Sequence, residues 1–193
     1  MRLAFPHMGN AYIPLRAIVN QLGIDSVVPE KPNRRTLQKG ALHSPEFVCL
    51  PFKVTLGDCL NALEMGADTL AMVCGMWACR FGYYGRVQHL ILRDIGYEFE
   101  SILIGREEPG EIWRKLRPPI GKNVARKVAG AIALFRSKAS AVDMVEALAR
   151  KTRPRERERG STDELMERYL HLLDQASSQR RVWELKQEAR GAF

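Results

Sequence analysis

The stretch Val73-Cys74-Gly75-Met76-Trp77-Ala78-Cys79-Arg80-Phe81-Gly82-Tyr83-Tyr84-Gly85 decides how the first half of the chain folds. Ahead of it, Ala67-Asp68-Thr69-Leu70-Ala71-Met72-Val73 is largely apolar, bounded by Gly66 and Gly75, and without helical period, which predicts a buried strand. Behind it, Val87, Leu90, Ile91 and Ile95 recur at helical spacing up to a stop at Gly96. Two cysteines therefore fall where a strand ends and a helix begins, the edge at which open α/β sheets hold their ligands. A thiol near a helix N-terminus and beside Arg80 is expected to have a lowered pKa, favouring the thiolate. Gly82 and Gly85, on either side of Tyr83-Tyr84, allow a close backbone approach. The plain alternative is a tight packed turn carrying two inert thiols.

Working outward, residues 1–105 alternate strands with helices. Arg2-Leu3-Ala4-Phe5 reads as a first strand, followed by the loop Pro6-His7-Met8-Gly9-Asn10. Ile13, Ala17, Ile18 and Leu22 give the stripe of a first helix, stopped by Gly23. Ser26-Val27-Val28-Pro29 is a short second strand, and Thr36 to Leu42 a short helix with Thr36 as N-cap. Phe52, Leu56, Cys59, Leu60 and Leu63 define a helix ending at Gly66, and Ser101-Ile102-Leu103-Ile104 is a fourth strand. Strands spaced by helices predict an α/β domain with a mainly parallel, Rossmann-like sheet over residues 1–108. A basic helical segment over residues 109–193 completes the expected architecture. In it Val124 to Phe135 and Val142 to Leu148 read as two helices, and Arg153 to Gly160 as a charged linker. Ser161-Thr162-Asp163-Glu164 has capping-box spacing at the start of another helix, and a last one carries Val182, Trp183 and Leu185.

The net charge of +8 is uneven. Residues 1–100 hold 10 Lys/Arg and 9 Asp/Glu, and residues 101–193 hold 20 and 13. The basic half invites a nucleic-acid reading. It is the weaker one, because Arg155 to Arg159 alternates with Glu156 and Glu158 and aromatic side chains are sparse there. No apolar run reaches the ~20 residues of a membrane span, and the N-terminus does not read as a signal peptide. The expected compartment is the cytoplasm, where the cysteines at 49, 59, 74 and 79 are reduced or metal-bound.

These cysteines contain no Cys-x-x-Cys, and their spacing fits neither zinc ribbons nor ferredoxin runs. Their placement says more. Cys49 and Cys79 each precede a helix and so belong to the same rim of the sheet. Cys59 lies on an apolar helix face and reads as core, whereas Cys74 closes a buried strand and suits either role. His7 lies on the same rim, and Lys53 and Arg80 are placed to balance thiolate or cluster charge. No dinucleotide fingerprint, phosphate loop or hydrolase motif is present.

Three segments together, Phe5-Pro6-His7-Met8-Gly9-Asn10, Ser44-Pro45-Glu46-Phe47-Val48-Cys49-Leu50-Pro51-Phe52-Lys53 and Cys79-Arg80-Phe81-Gly82-Tyr83-Tyr84-Gly85, resemble one family. It is the CoA-substrate-specific activase-related proteins, relatives of the 2-hydroxyacyl-CoA dehydratase subunits. The resemblance implies an iron–sulfur protein of anaerobic metabolism. A [4Fe-4S] or double-cubane cluster would be held by strand-end cysteines and reduced by a partner ATPase of the sugar-kinase/actin type. Carried over, Cys49 and Cys79 are cluster ligands, Cys74 is a third candidate, and Lys53 and Arg80 tune the site. Many relatives have Cys-Gly-Pro-Cys-Arg where this chain has Met76-Trp77-Ala78-Cys79-Arg80. Relatives also continue into a second lobe, so the cluster is expected to be completed by such a lobe or by a homo-oligomer partner. Three rivals stand beside this expectation: a metal-free interaction module that kept the fold, a nucleic-acid-binding protein, and an enzyme with Cys79 as nucleophile and His7 as base.

Overall fold

The computed structural model describes residues 1–75, 79–105 and 107–193, which form two compact units. The first consists of Met1–Met8 and Gly23–Val124, the second of Gly9–Leu22 and Ala125–Phe193.

The first unit is an α/β sandwich built on β1 (Arg2–Ala4), β2 (Asp25–Val27), β3 (Thr69–Val73) and β4 (Glu100–Ile104). All pairings are parallel, in the order β2-β1-β3-β4. The chain therefore moves outward from β1 on one side and from β3 on the other. The carboxyl ends of β1 and β3 flank the topological switch point at which such sheets open a crevice. Residues 5–8 follow β1 there, and Cys74 and Gly75 follow β3. Met8, at the end of the β1 segment, has a positive φ of 48°.

Helices α2 (Arg34–His43), α3 (Leu50–Glu64), α4 (Tyr84–Asp94) and α5 (Pro109–Ile120) belong to this unit. Leu70 and Met72, alternate residues of β3, share a core with Phe52, Leu56, Leu60 and Leu63 of α3 and with Tyr84 and Leu92 of α4. α2 lies against α3 at backbone contact: a Cβ on Gly40 would sit 1.8 Å from the Lys53 carbonyl oxygen, and one on Gly57 2.0 Å from that of Thr36. The N-cap of α2 lies three residues before the expected one. Asn33 is its N-cap and accepts from the backbone N–H of Arg35 and Thr36, while Thr36 Oγ1 accepts from the Asn33 N–H at 3.2 Å. The reciprocal box uses the better capping residue and places Thr36 inside the first turn.

The second unit is helical. α1 (Tyr12–Gln21) belongs to it together with α6 (Val124–Thr152), α7 (Ser161–Gln175) and α8 (Gln179–Ala192). Its core joins Ile13 and Ala17 of α1 to Ala141, Val142 and Val145 of α6, Leu170 and Leu173 of α7, and Val182 and Leu185 of α8. The second unit thus takes α1 as well as the chain from Ala125 on, with Ile13 and Ala17 buried in the helical core. The two helices expected between residues 124 and 148 are one helix of 29 residues. The intervening Arg136 to Ala141 contains neither glycine nor proline to stop it. α7 begins without the expected capping box. Gly160, at φ 93°, is its N-cap, and Glu156 from the preceding turn accepts from the N–H groups of Gly160 and Thr162 at 3.0 and 3.2 Å.

Candidate functional site

The sequence places Cys49 immediately before Leu50-Pro51, and proline in the first helical turn is pre-set for helix entry. Cys49 is accordingly the N-cap of α3, in extended backbone and exposed. Its carbonyl accepts from the Phe52 N–H at 3.1 Å, and its Sγ is in hydrogen-bond contact with the Tyr84 hydroxyl. Cys79 is the N-cap of a 3-10 turn over Arg80–Tyr83 that leads into α4, and it is likewise exposed. Two cross-links hold the turns in place. Gly75 N–H donates to the Gly82 carbonyl at 3.1 Å, and Arg80 Nη1 donates to the Phe47 carbonyl at 3.2 Å. The second ties the Cys79 turn to the loop that carries Cys49.

Tyr84 is the pivot. It is the first residue of α4, its side chain is buried, and it stands edge-on to Phe52 and Phe81 with centroids at 5.1 and 5.2 Å. Its hydroxyl stabilises the Cys49 thiolate and, ahead of smaller backbone contributions and Arg80, holds that thiol below its usual range. Burial, then the adjacent Cys49 and the nearby Cys79, pushes the phenol up to about 12, so it stays protonated and can donate. Both rim thiols therefore act electrostatically on one buried phenol. Beside them lies a cavity of about 270 Å³ between Val48, Cys49, Phe52, Arg80, Tyr83 and Tyr84. Phe47, Leu50 and Tyr83 are exposed around it.

The other candidates separate from this pair. Cys74 is 1% exposed, and its sulfur lies 2.6 Å from where a Cβ on Gly85 would stand. The close approach expected of Gly85 is therefore made to the strand-end cysteine beneath α4. Cys59 is core, its thiol raised to about 12 by burial and by Asp58. Lys53 is half-buried on the first turn of α3, and among the described residues no hydrogen bond joins it to either rim thiol. Met76, Trp77 and Ala78, the stretch of the turn where the sequence resemblance set an expected cysteine against Met76, lie outside the described residues.

His7 is buried at the end of the β1 segment. Its backbone N–H and Nδ1 both approach Asp58 Oδ2, at 3.0 and 3.2 Å, and Asp58 is 1% exposed with its other oxygen, Oδ1, unpartnered among the described residues. This carboxylate, with Nδ1 as donor, fixes the imidazole tautomer with the proton on Nδ1. Sequence reading missed Asp58 and the role of Tyr84. A signal for Asp58 existed, since it is the one charge among Thr55 to Leu63, within the apolar body of α3.

A cubane cluster ordinarily takes about four protein ligands. Among the described residues no three His, Cys, Asp or Glu side chains come together as a metal-holding group. Those residues offer two accessible thiols, so they do not by themselves fit a complete [4Fe-4S] or double-cubane site. Among the described residues no helix is long and apolar enough to cross a membrane. Set against protein-family models, curated proteins and solved structures, the chain matches none.

Proposed function

We propose that this chain is the thiolate-bearing component of an iron–sulfur, ATP-dependent low-potential electron-transfer system of the 2-hydroxyacyl-CoA dehydratase-activating type, and that it works in the cytoplasm. One observation carries the reading. Cys49 and Cys79, both exposed and both opening a helical turn, lie in two turns tied together by the Arg80–Phe47 hydrogen bond, with Cys49 Sγ on the buried Tyr84 hydroxyl. A bound cluster would supply one-electron transfer. The chain's own part is to hold two cysteines, Cys49 at the start of α3 through the Tyr84 hydroxyl and Cys79 in its turn through the Arg80–Phe47 cross-link. Further ligands would come from a partner lobe or a second copy docking over Phe47, Leu50 and Tyr83, and an ATPase of the sugar-kinase/actin type would deliver the electron. Arg80, beside Cys49, would balance charge, with Lys53 of the first turn of α3 as a second charge-balancing group.

Anaerobic reconstitution with iron and sulfide, followed by assay of bound iron and the visible spectrum, tests this. Wild type and Cys59→Ala are expected to retain iron, and the Cys49→Ala/Cys79→Ala double variant to lose it. Iron held equally by the double variant would sink the assignment. The burial of Cys74 favours a second reading, a metal-free interaction module using the same apolar rim. Under that reading wild type retains no iron and Cys79→Ala is silent.

A further inference from the structure

Lys138 stands in the middle of α6 and is 2% exposed. A buried ammonium is costly unless its charge and its three N–H donors are met. One donor goes to the Asp174 carbonyl at 2.9 Å, in the last turn of α7, the usual way a lysine closes a helix C-terminus. Among the described residues no second acceptor and no carboxylate at ion-pair distance meets the rest. The nearest acid is already engaged, since Asp174 Oδ2 accepts from Arg16 Nη1 at 2.9 Å. The other oxygen, Asp174 Oδ1, is buried and has no partner among the described residues. Burial, against the pull of Asp174, lowers the affinity of Lys138 for its proton.

These groups line a cavity of about 160 Å³ within the second unit, with Arg16, Lys138, Asp174, Gln175 and Ser177 on its walls. At ~30 Å³ per water that is room for about five waters, or for a tetrahedral oxyanion and one or two waters. Two cations face one carboxylate and the negative end of α7 there, so a single added negative charge brings the cluster close to balance. Asp174 Oδ1, the acceptor left without a partner among the described residues, is a group that a guest keeping a proton can satisfy after a small side-chain adjustment.

We propose that the cavity beside Lys138 binds a small oxyanion that retains a proton, of hydrogen-phosphate type, with its oxygens toward Lys138 and Arg16 and its O–H toward Asp174. This site contains no cysteine, so it stands or falls apart from the iron–sulfur reading. Sulfate has the same shape and no proton near neutral pH, which makes it the control.

Equilibrium dialysis of the full chain against inorganic phosphate, sulfate and glycerol phosphate is the test. Phosphate should bind at one per chain and outcompete sulfate. Lys138→Met, which keeps the length of the side chain and removes the charge, should weaken phosphate by about tenfold or more. Asp174→Asn, whose amide can donate to an anion, should narrow the preference for phosphate over sulfate. Glycerol phosphate binding as well as phosphate would identify a phosphate-ester headgroup as the guest, and binding of phosphate alone would identify the free ion. Absence of phosphate binding by wild type at millimolar concentration, or sulfate binding as tightly as phosphate, would overturn the proposal.

Discussion

Cys49 and Cys59 flank the first half of one helix and differ in everything that sets thiol reactivity. Cys49 ends its approach to α3 in the open with a phenol at its sulfur, whereas Cys59 is enclosed by the apolar core beside the charge of Asp58. Thiolate is the reactive form, so Cys49 should be alkylated by iodoacetamide near neutral pH while Cys59 in the folded protein is not. Because the Tyr84 hydroxyl is the largest cause lowering the Cys49 pKa, removing it must move the thiol upward. Tyr84→Phe should therefore shift the alkylation profile of Cys49 to higher pH and slow the reaction at pH 7, as read by peptide mass spectrometry against pH. An unchanged profile would show that the phenol does not stabilise the thiolate. The cysteine positions on the rim were legible, since each follows from a strand end or a proline-led helix start. Tyr84 was not, because its contact with Cys49 joins residues 35 apart in sequence.

At the scale of elements, hydrophobic period located most strands and helices, and errors gathered at their ends and junctions. The N-cap of α2 went to Asn33 because a reciprocal capping box outbid Thr36, and the N-cap of α7 went to Gly160 because Glu156 reaches in from outside the helix. α5 has an apolar stripe, Ile112, Leu116 and Ile120 at every fourth residue, that the sequence reading passed over, and it carries Pro118 and Pro119 in its last turn. The crossing of α2 over α3 was not visible in the sequence, since a glycine in a helix reads locally as a cost and only a neighbour makes it a requirement. Gly40→Ala or Gly57→Ala pushes a methyl onto a backbone carbonyl, which has no rotamer by which to yield. Each should lose about 3 kcal/mol or more in urea unfolding. Gly191→Ala, in α8 with nothing within 4 Å of the added methyl, should change stability by less than about 1 kcal/mol. Equal small effects at all three positions would refute the close crossing.

For the molecule as a whole, the chain order of elements and the order in which they fold into units differ. α1 lies between β1 and β2 in sequence, yet Ile13 and Ala17 are buried with residues of α6, α7 and α8. A fragment of residues 1–108 would keep all four strands and leave that stripe uncovered. It should aggregate or lack a cooperative thermal transition by circular dichroism, whereas the full chain melts cooperatively. A fragment that melts as sharply as the full chain would mean that α1 is dispensable to the helical core.

The sequence by itself determined the α/β class, the parallel sheet with its helical continuation, and the placing of Cys49 and Cys79 at helix starts. These are consequences of period, breakers and caps, which act over a few residues at a time. Only the tertiary structure decided that Tyr84 joins the rim thiols, that Asp58 holds His7, that Lys138 is buried beside a polar cavity, and that α1 leaves the sheet for the helical core. Each depends on which faces meet across long loops. Apolar stripes are interchangeable at the level of sequence, and only their shape complementarity when packed selects one partner over another.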